Sequence, residues 1–146
     1  MVDVTPKGET AREAVARAIL RMNPQTLSAI KAGQLAKGDV LGVARTAGIM
    51  AAKKTPELIP LCHPLRITGV DLSFKINRRG STLAIQTRVT AVDKTGVEME
   101  ALTAAAVAGL TVYDMVKAID KGVTFTELCL LEKSGGKSGH WKRRRP

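Results

Sequence analysis

Residues 66–92, RITGVDLSFKINRRGSTLAIQTRVTAV, decide the fold. In the first half Ile67, Val70, Leu72, Phe74 and Ile76 are set among polar residues, and from Thr82 to Val92 apolar and polar residues alternate again. A period near two sends alternate side chains to opposite faces of an extended chain, so each half reads as a half-buried strand. Arg78-Arg79-Gly80-Ser81 supplies the small and polar residues of a reversal, and the two halves are expected to pair antiparallel. Downstream the pattern changes: about Met99 to Ile119 reads as one long apolar helix, and Val123 to Leu131 as a final strand. Upstream, Asp39 is a good cap for a helix from Val40 to about Lys54, stopped by Pro56, and Asn23 with Pro24 starts a short helix through Ile30. The face Val40, Ala44, Ala47, Gly48, Ala51 is small enough for close packing and is expected to offer a subunit contact. Glu9 to Met22 is open: its alanine content suits a helix, while Ala14, Ala16 and Ala18 alternating with Val15, Arg17 and Ile19 suit a strand. Strands and helices mixed without strict βαβ alternation predict an α+β fold, an antiparallel sheet packed against two long helices as a ferredoxin-like sandwich. A single catalytic domain is expected over 1–132, with 133–146 as a flexible Gly/Ser-rich basic tail.

The tail explains most of the charge. The formal net charge is +10, but Lys133, Lys137, Lys142, Arg143, Arg144 and Arg145 stand in a stretch without acids, and setting them aside leaves 17 basic against 13 acidic residues. A surplus gathered in such a tail fits a solvated terminus with phosphate affinity better than a reader of bases. One Trp, one Tyr and two Phe are too few for a stacking platform, so no specific nucleic-acid partner is expected. With 3% aromatics the core must be aliphatic and packed through small residues. The apolar run 101–112 is broken by threonines and glycine, and no signal peptide or membrane span is read, which predicts a cytoplasmic protein. Cys62 and Cys129 carry no pairing signature and are expected to be free thiols.

Two blocks could carry chemistry. Leu58-Ile59-Pro60-Leu61-Cys62-His63-Pro64-Leu65 holds a cysteine and a histidine between prolines, which restrict the backbone around them and suit a site. On the long helix Glu100, Thr103, Thr111 and Asp114 share one side, Lys117 adjoins it, and Glu98 is nearly opposite. Such a seam is the solvent face of an ordinary surface helix; here the other faces are so apolar that it is expected to be buried and its acids to need partners, Asp114 and Lys117 supplying each other at i and i+3. Three other readings are weaker. Gly136-Lys137-Ser138 ends like a phosphate-binding loop, but Leu131 stands where that loop needs glycine. Adjacent Cys62 and His63 are atypical zinc ligands, so no metal is expected. Cys62 has only His63 to lower its pKa and reads as an inert thiol.

The runs LIPLCHPL (58–65), GVEMEALTA (96–104), AGLTVYDMVKAID (108–120) and LLEKSGGKSG (130–139), with KGDVLGVARTAGIMAAKKTPEL (37–58) and MVDVTPKGETARE (1–13), resemble the MoaC family, the cyclic pyranopterin monophosphate synthases of molybdenum cofactor biosynthesis. The likeness extends in order to about Gly139; the family usually carries a short arm before the MVDV element on which this sequence starts. The resemblance favours a strand over Glu9 to Met22. It implies a lyase that converts 3′,8-cyclo-7,8-dihydroguanosine 5′-triphosphate to cyclic pyranopterin monophosphate with release of diphosphate, without a cofactor, in a homohexamer built as three dimers. It makes Asp114 the catalytic residue with Lys117 beside it, lines the small-molecule substrate with Leu61, Cys62, His63, Met99 and Glu100, and brings Lys37 and Lys133 to its phosphates. The competing reading is a non-catalytic nucleotide- or nucleic-acid-binding module that works through the basic tail. Within that tail, Lys133 to Gly139 is expected to serve the chemistry and Trp141 to Pro146 to be dispensable for it.

Overall fold

A computed structural model of the chain describes residues 1–144. In order it contains β1 (Thr10–Arg21), α1 (Pro24–Ala32), α2 (Val40–Lys53), α3 (Thr55–Leu58), β2 (Ile67–Asn77), β3 (Thr82–Asp93), α4 (Glu98–Val116), β4 (Thr124–Ser134) and β5 (Trp141–Lys142). The sheet order is β2-β3-β1-β4-β5, every pair antiparallel. The first four strands and the helices between them make the βαββαβ arrangement of a ferredoxin-like sandwich, and β5 extends its edge. Glu9 to Met22 resolves as a strand, placed at the centre of the sheet between β3 and β4.

The hairpin of β2 and β3 forms where the alternation puts it, with one refinement. Ile67 and Val70 are an odd number of residues apart, so a regular strand would send them to opposite faces. A register shift between Ile67 and Gly69 inserts one residue and corrects the parity. In β3, Leu83, Ile85, Thr87, Val89 and Ala91 are all buried, and their odd numbers show an unbroken period of two.

Small residues set the depth of the core. Ala14, Ala16, Ala18 and Leu20 of β1 are fully buried, as are Ala101, Ala104, Ala105, Ala108 and Val112 of α4, which packs across β1, β3 and β4. Thr87, the polar member of the β3 row, is satisfied by donating to the Ala101 carbonyl at 2.7 Å. A Cβ on Gly109 would stand 2.5 Å from the Phe125 ring, so any side chain there would have to displace that ring for α4 to stay this close to β4. By length and composition α4 could cross a membrane, yet just over half of it is buried within the fold, as for the core helix of a globular domain.

The small face of α2 is already used. Val40, Ala44, Gly48 and Ala51 are buried, and a Cβ on Gly48 would stand 3.0 Å from the Ala104 carbonyl and 2.6 Å from Leu72. This stripe packs on α4 and β2 of its own chain, which overturns the expectation that it would be a subunit contact. Small residues permit close approach by any partner, and here the partner is intramolecular.

Helix ends show a second difference. Asp39 caps α2 as expected, Oδ1 accepting from Gly42 N at 3.0 Å. Asn23 precedes α1, but its side chain makes no cap; a carboxylate from across the fold serves instead. Asp120, 4% exposed, accepts from Asn23 N at 2.8 Å, Thr26 Oγ1 at 3.0 Å and Gly122 N at 3.0 Å. The chain therefore leaves α4 at Val116, short of the expected Ile119, and turns to aim Asp120 at α1. These donors, the Asn23 N–H foremost, hold the Asp120 pKa below its ordinary value. A carboxylate with a lowered folded pKa adds stability that is present above the unfolded value of 3.8 and is lost as pH falls through the folded one. Asp120→Ala is expected to cost about 2 kcal/mol at neutral pH, with the difference from the parent shrinking below pH ~4. Urea unfolding at a series of pH values measures it, and an undiminished difference in acid would remove the ionised carboxylate from the explanation.

β4 continues through Ser134, so the stretch expected as a tail from 133 starts inside the sheet. Trp141 pairs with Lys133 and Lys142 with Glu132, and Arg143 N donates to the Leu131 carbonyl at 2.7 Å. Arg145 and Pro146 lie outside the described residues.

Candidate functional site

The expected site residues fall into two groups at opposite ends of α4. At the C-terminal end stands Asp114, its side chain about half exposed, with Lys117 Nζ 2.6 Å from Oδ1 and Lys37 Nζ 2.7 Å from Oδ2. Lys37 also donates to the Asp114 backbone carbonyl at 3.0 Å. Helical spacing predicts the first contact; the second comes from the loop between α1 and α2, which folds back onto α4. The lysines, Lys117 first and Lys37 second, lower the Asp114 pKa to about 2, and Asp114 in turn raises that of Lys117. The group holds one carboxylate and two cations, a net positive charge at neutral pH.

At the N-terminal end lie Met99 and Glu100 of α4, Leu61, Cys62 and His63 of the proline-bracketed loop, and Lys133 of β4. A turn closed by Cys62 N donating to the Ile59 carbonyl at 3.1 Å, with Pro60 inside it, fixes the loop. Leu61 is 70% exposed. Glu100 is 2% exposed; burial and then its like-charged neighbour Glu98 raise its pKa, while a local backbone hydrogen bond pulls the other way. Among the described residues no lysine or arginine pairs with it. Burial and the Glu100 charge raise the Cys62 thiol, so it stays protonated and cannot act as a ready nucleophile. His63 Nε2 is 2.9 Å from the Val2 carbonyl, which brings the N-terminal segment over the loop.

Lys133 sits 2.7 Å from Glu98, and both line a cavity of about 720 Å³ between β1, the end of β3, the start of α4 and the residues after β4. Lys7, Arg12, Lys94 and Lys137 also line it, with Glu13 as the second carboxylate, so basic groups outnumber acidic ones around the cavity. Arg12 is anchored by donating to the carbonyls of Asp93 (3.4 Å) and Lys94 (3.1 Å). The wall after β4 turns through Gly135 (φ 99°) and Gly136 (φ 68°), left-handed conformations that favour glycine. Glu98, on the far side of the helical wheel from the seam, is thus the partner of Lys133. Arg12 and Lys94 carry no motif of their own; only the pairing of Thr10 with Asp93 brings them to the same rim.

The polar seam on α4 divides along its length. Glu100 and Thr103 are buried, whereas Asp114 is open to solvent. The helix is continuous from Glu98 to Val116, so at 1.5 Å per residue Glu100 and Asp114 are about 21 Å apart. One chain therefore presents a buried carboxylate without a cation at one end and an open cluster rich in cations at the other.

Residues 1–136 match the MoaC family. A protein of Heliobacterium modesticaldum named cyclic pyranopterin monophosphate synthase is 59% identical over 143 residues, covering 98% of this chain and 90% of the relative. Proteins of the same name from Thermomicrobium roseum and Geobacter metallireducens are 58% and 56% identical, over 98% and 100% of this chain and 86% and 91% of their own lengths. Fold, ordered motifs and near full-length identity agree: this chain belongs to the MoaC family.

Proposed function

We propose that the protein is a lyase of molybdenum cofactor biosynthesis that carries out the reaction its relatives are named for. It takes 3′,8-cyclo-7,8-dihydroguanosine 5′-triphosphate, rearranges the purine-derived skeleton, closes a cyclic phosphate and releases diphosphate, giving cyclic pyranopterin monophosphate. The observation that carries this reading is the near full-length identity to synthases of that name, together with the Asp114, Lys37 and Lys117 cluster. Incubating the purified chain with the cyclised nucleotide and following diphosphate release tests it. No release above that of an Asp114→Ala control would overturn it.

The chemistry divides between the ends of α4. A triphosphate needs several cations, and Lys37, Lys117 and Lys133 are the lysines assigned to it. In the free protein Asp114 is too weak a base to take a proton at neutral pH, because both lysines stabilise its charge. An anionic substrate draws those lysines to its own oxygens, and as they leave, the Asp114 pKa rises toward the useful range. Lys117 then serves as the acid of the pair. His63 and Glu100 orient the base-derived rings, and the raised pKa of Glu100 suits a carboxyl that exchanges protons with ring nitrogens. Because the two ends of α4 cannot meet within one chain, the working site joins the Asp114 end of one subunit to the Glu100 end of another, in a homohexamer of three dimers. The enzyme works in the cytoplasm on this small molecule.

The pairing of Trp141 with Lys133 bears on the last residues. Truncation after His140 removes β5 and loosens Lys133 without deleting it. KM is expected to rise about three- to tenfold with kcat within about twofold, the pattern of weakened phosphate binding. Unchanged kinetics would show that β5 does not position Lys133.

A further inference from the structure

We infer that the N-terminal segment is a positioning element: the Val2 carbonyl holds the neutral His63 ring in its Nε2–H form, so that Nδ1 faces the substrate as a hydrogen-bond acceptor. The inference rests on the proposed function only in taking His63 as a substrate contact. A carbonyl oxygen can only accept, so the 2.9 Å approach of His63 Nε2 to the Val2 carbonyl requires the proton on Nε2. Neutral imidazole carries one proton, so Nδ1 then keeps its lone pair. Among the described residues Nδ1 has no hydrogen-bond partner, which leaves it available to a ligand.

The segment is built to hold that carbonyl in place. Thr5 N donates to Asp3 Oδ1 at 2.8 Å, a local turn that bends residues 3–5. Lys94 Nζ, on the rim of the cationic cavity, donates to the Thr5 carbonyl at 3.2 Å, and Lys7 N to the Val4 carbonyl at 3.0 Å. Two anchors therefore flank Val2, the turn of residues 3–7 on one side and His63 on the other. The charged groups around the ring are Asp3 on the same segment, Lys94 beyond it, and Glu100 beneath Cys62. Asp3 is close enough for His63 and Lys94 to act on its charge, but it makes no hydrogen bond to the ring.

The consequence is a rule of recognition. With Nδ1 as acceptor, His63 selects an N–H or O–H donor on the substrate, such as a ring or exocyclic nitrogen of a reduced guanine-derived system, and disfavours a carbonyl at that position. An unprotonated Nδ1 can also receive a proton from that donor as the skeleton rearranges.

The chain has two histidines, so nitrogen-15 NMR of the whole protein can assign each ring with a His140→Gln variant. At about pH 8, above the ordinary histidine pKa of ~6.5, the His63 signals should be those of the Nε2–H form, with Nδ1 at the shift of an unprotonated nitrogen. Deleting residues 1–4 should move His63 toward a mixture of forms and leave His140 unchanged. Asp3→Asn, whose Oδ1 can still accept from Thr5 N, keeps the turn and the Val2 carbonyl and should retain the parent pattern. A predominantly Nδ1–H ring in the full chain, or the same populations with and without residues 1–4, would overturn the inference. These signals are read without substrate, so failure here is distinct from failure to release diphosphate. If the chain is active, deletion should also lower kcat by about tenfold, which the Asp3→Asn variant should not do.

Discussion

Asp114→Asn is expected to lower turnover by on the order of a hundredfold or more while leaving the melting temperature nearly unchanged. The second part follows from where the residue stands. Its side chain is about half exposed and its ion pairs with Lys37 and Lys117 are solvated, so removing the charge takes little from the fold. The first part follows from what the carboxylate holds. Two ammonium groups converge on it within 2.7 Å, from α4 and from the loop before α2, and no other group among the described residues collects them. Asparagine keeps the shape and can accept from a lysine, but it cannot take a proton. A pH series adds a sharper test. With its pKa lowered to about 2, Asp114 is ionised in the free protein across the working range, so kcat/KM should show no acid limb from this residue. Once phosphates draw the lysines away its pKa rises, and the acid limb should appear in kcat, which reports the bound state. Turnover of the Asn variant near that of the parent would leave Asp114 as a surface ion pair.

Much of this arrangement was legible in the residues because it is local. The alternation of 66–92 is a period of two, the Asp114 and Lys117 contact is a helical i, i+3 pair, and the Asp39 cap is a short-range hydrogen bond; each depends on a few neighbours. What escaped depends on contacts distant in sequence. Lys37 reaches Asp114 across 77 positions and Asp120 reaches Asn23 across 97, and no spacing rule connects such pairs. The helical wheel sets Glu98 opposite Glu100 and gives no sign of its partner. A wheel describes a helix in isolation; at the first turn, side chains look outward along the axis as well as around it, and Glu98 meets Lys133 arriving from β4. The stripe of small residues on α2 misled for a related reason: it marks close packing and says nothing of which chain supplies the partner. The roles of Leu61, Cys62, His63 and Met99 came from the family resemblance alone.

The distance along α4 leads to the other large effect. Mixing an Asp114→Ala chain with a Glu100→Ala chain, each inactive alone, is expected to restore about a quarter of the parent's active sites. The helix runs unbroken through Gly109, where a break could have brought the two ends together, so about 21 Å separates the two positions along the axis within one chain. Charge argues the same way. Glu100 is buried and forms no ion pair among the described residues of its own chain, whereas Lys37 and Lys117 crowd an exposed Asp114. An isologous contact that sets the Asp114 end of one subunit against the Glu100 end of its mate gives each carboxylate and each phosphate a share of the cations, and forms two such sites per pair. In a random mixture half of the pairs are mixed; each of these has one site with both residues intact and one with neither, which gives the quarter. Asp114→Ala should keep the fold, since that position is exposed, but Glu100→Ala opens a buried space at the start of α4, so Glu100→Gln serves as the second partner if the alanine chain is unstable. Subunit exchange is checked separately, by mass, with one chain isotopically heavy. If exchange is complete and no activity returns, the site does not join these two residues across subunits, and Glu100 loses its assigned place beside the rings on which Asp114 and its lysines act.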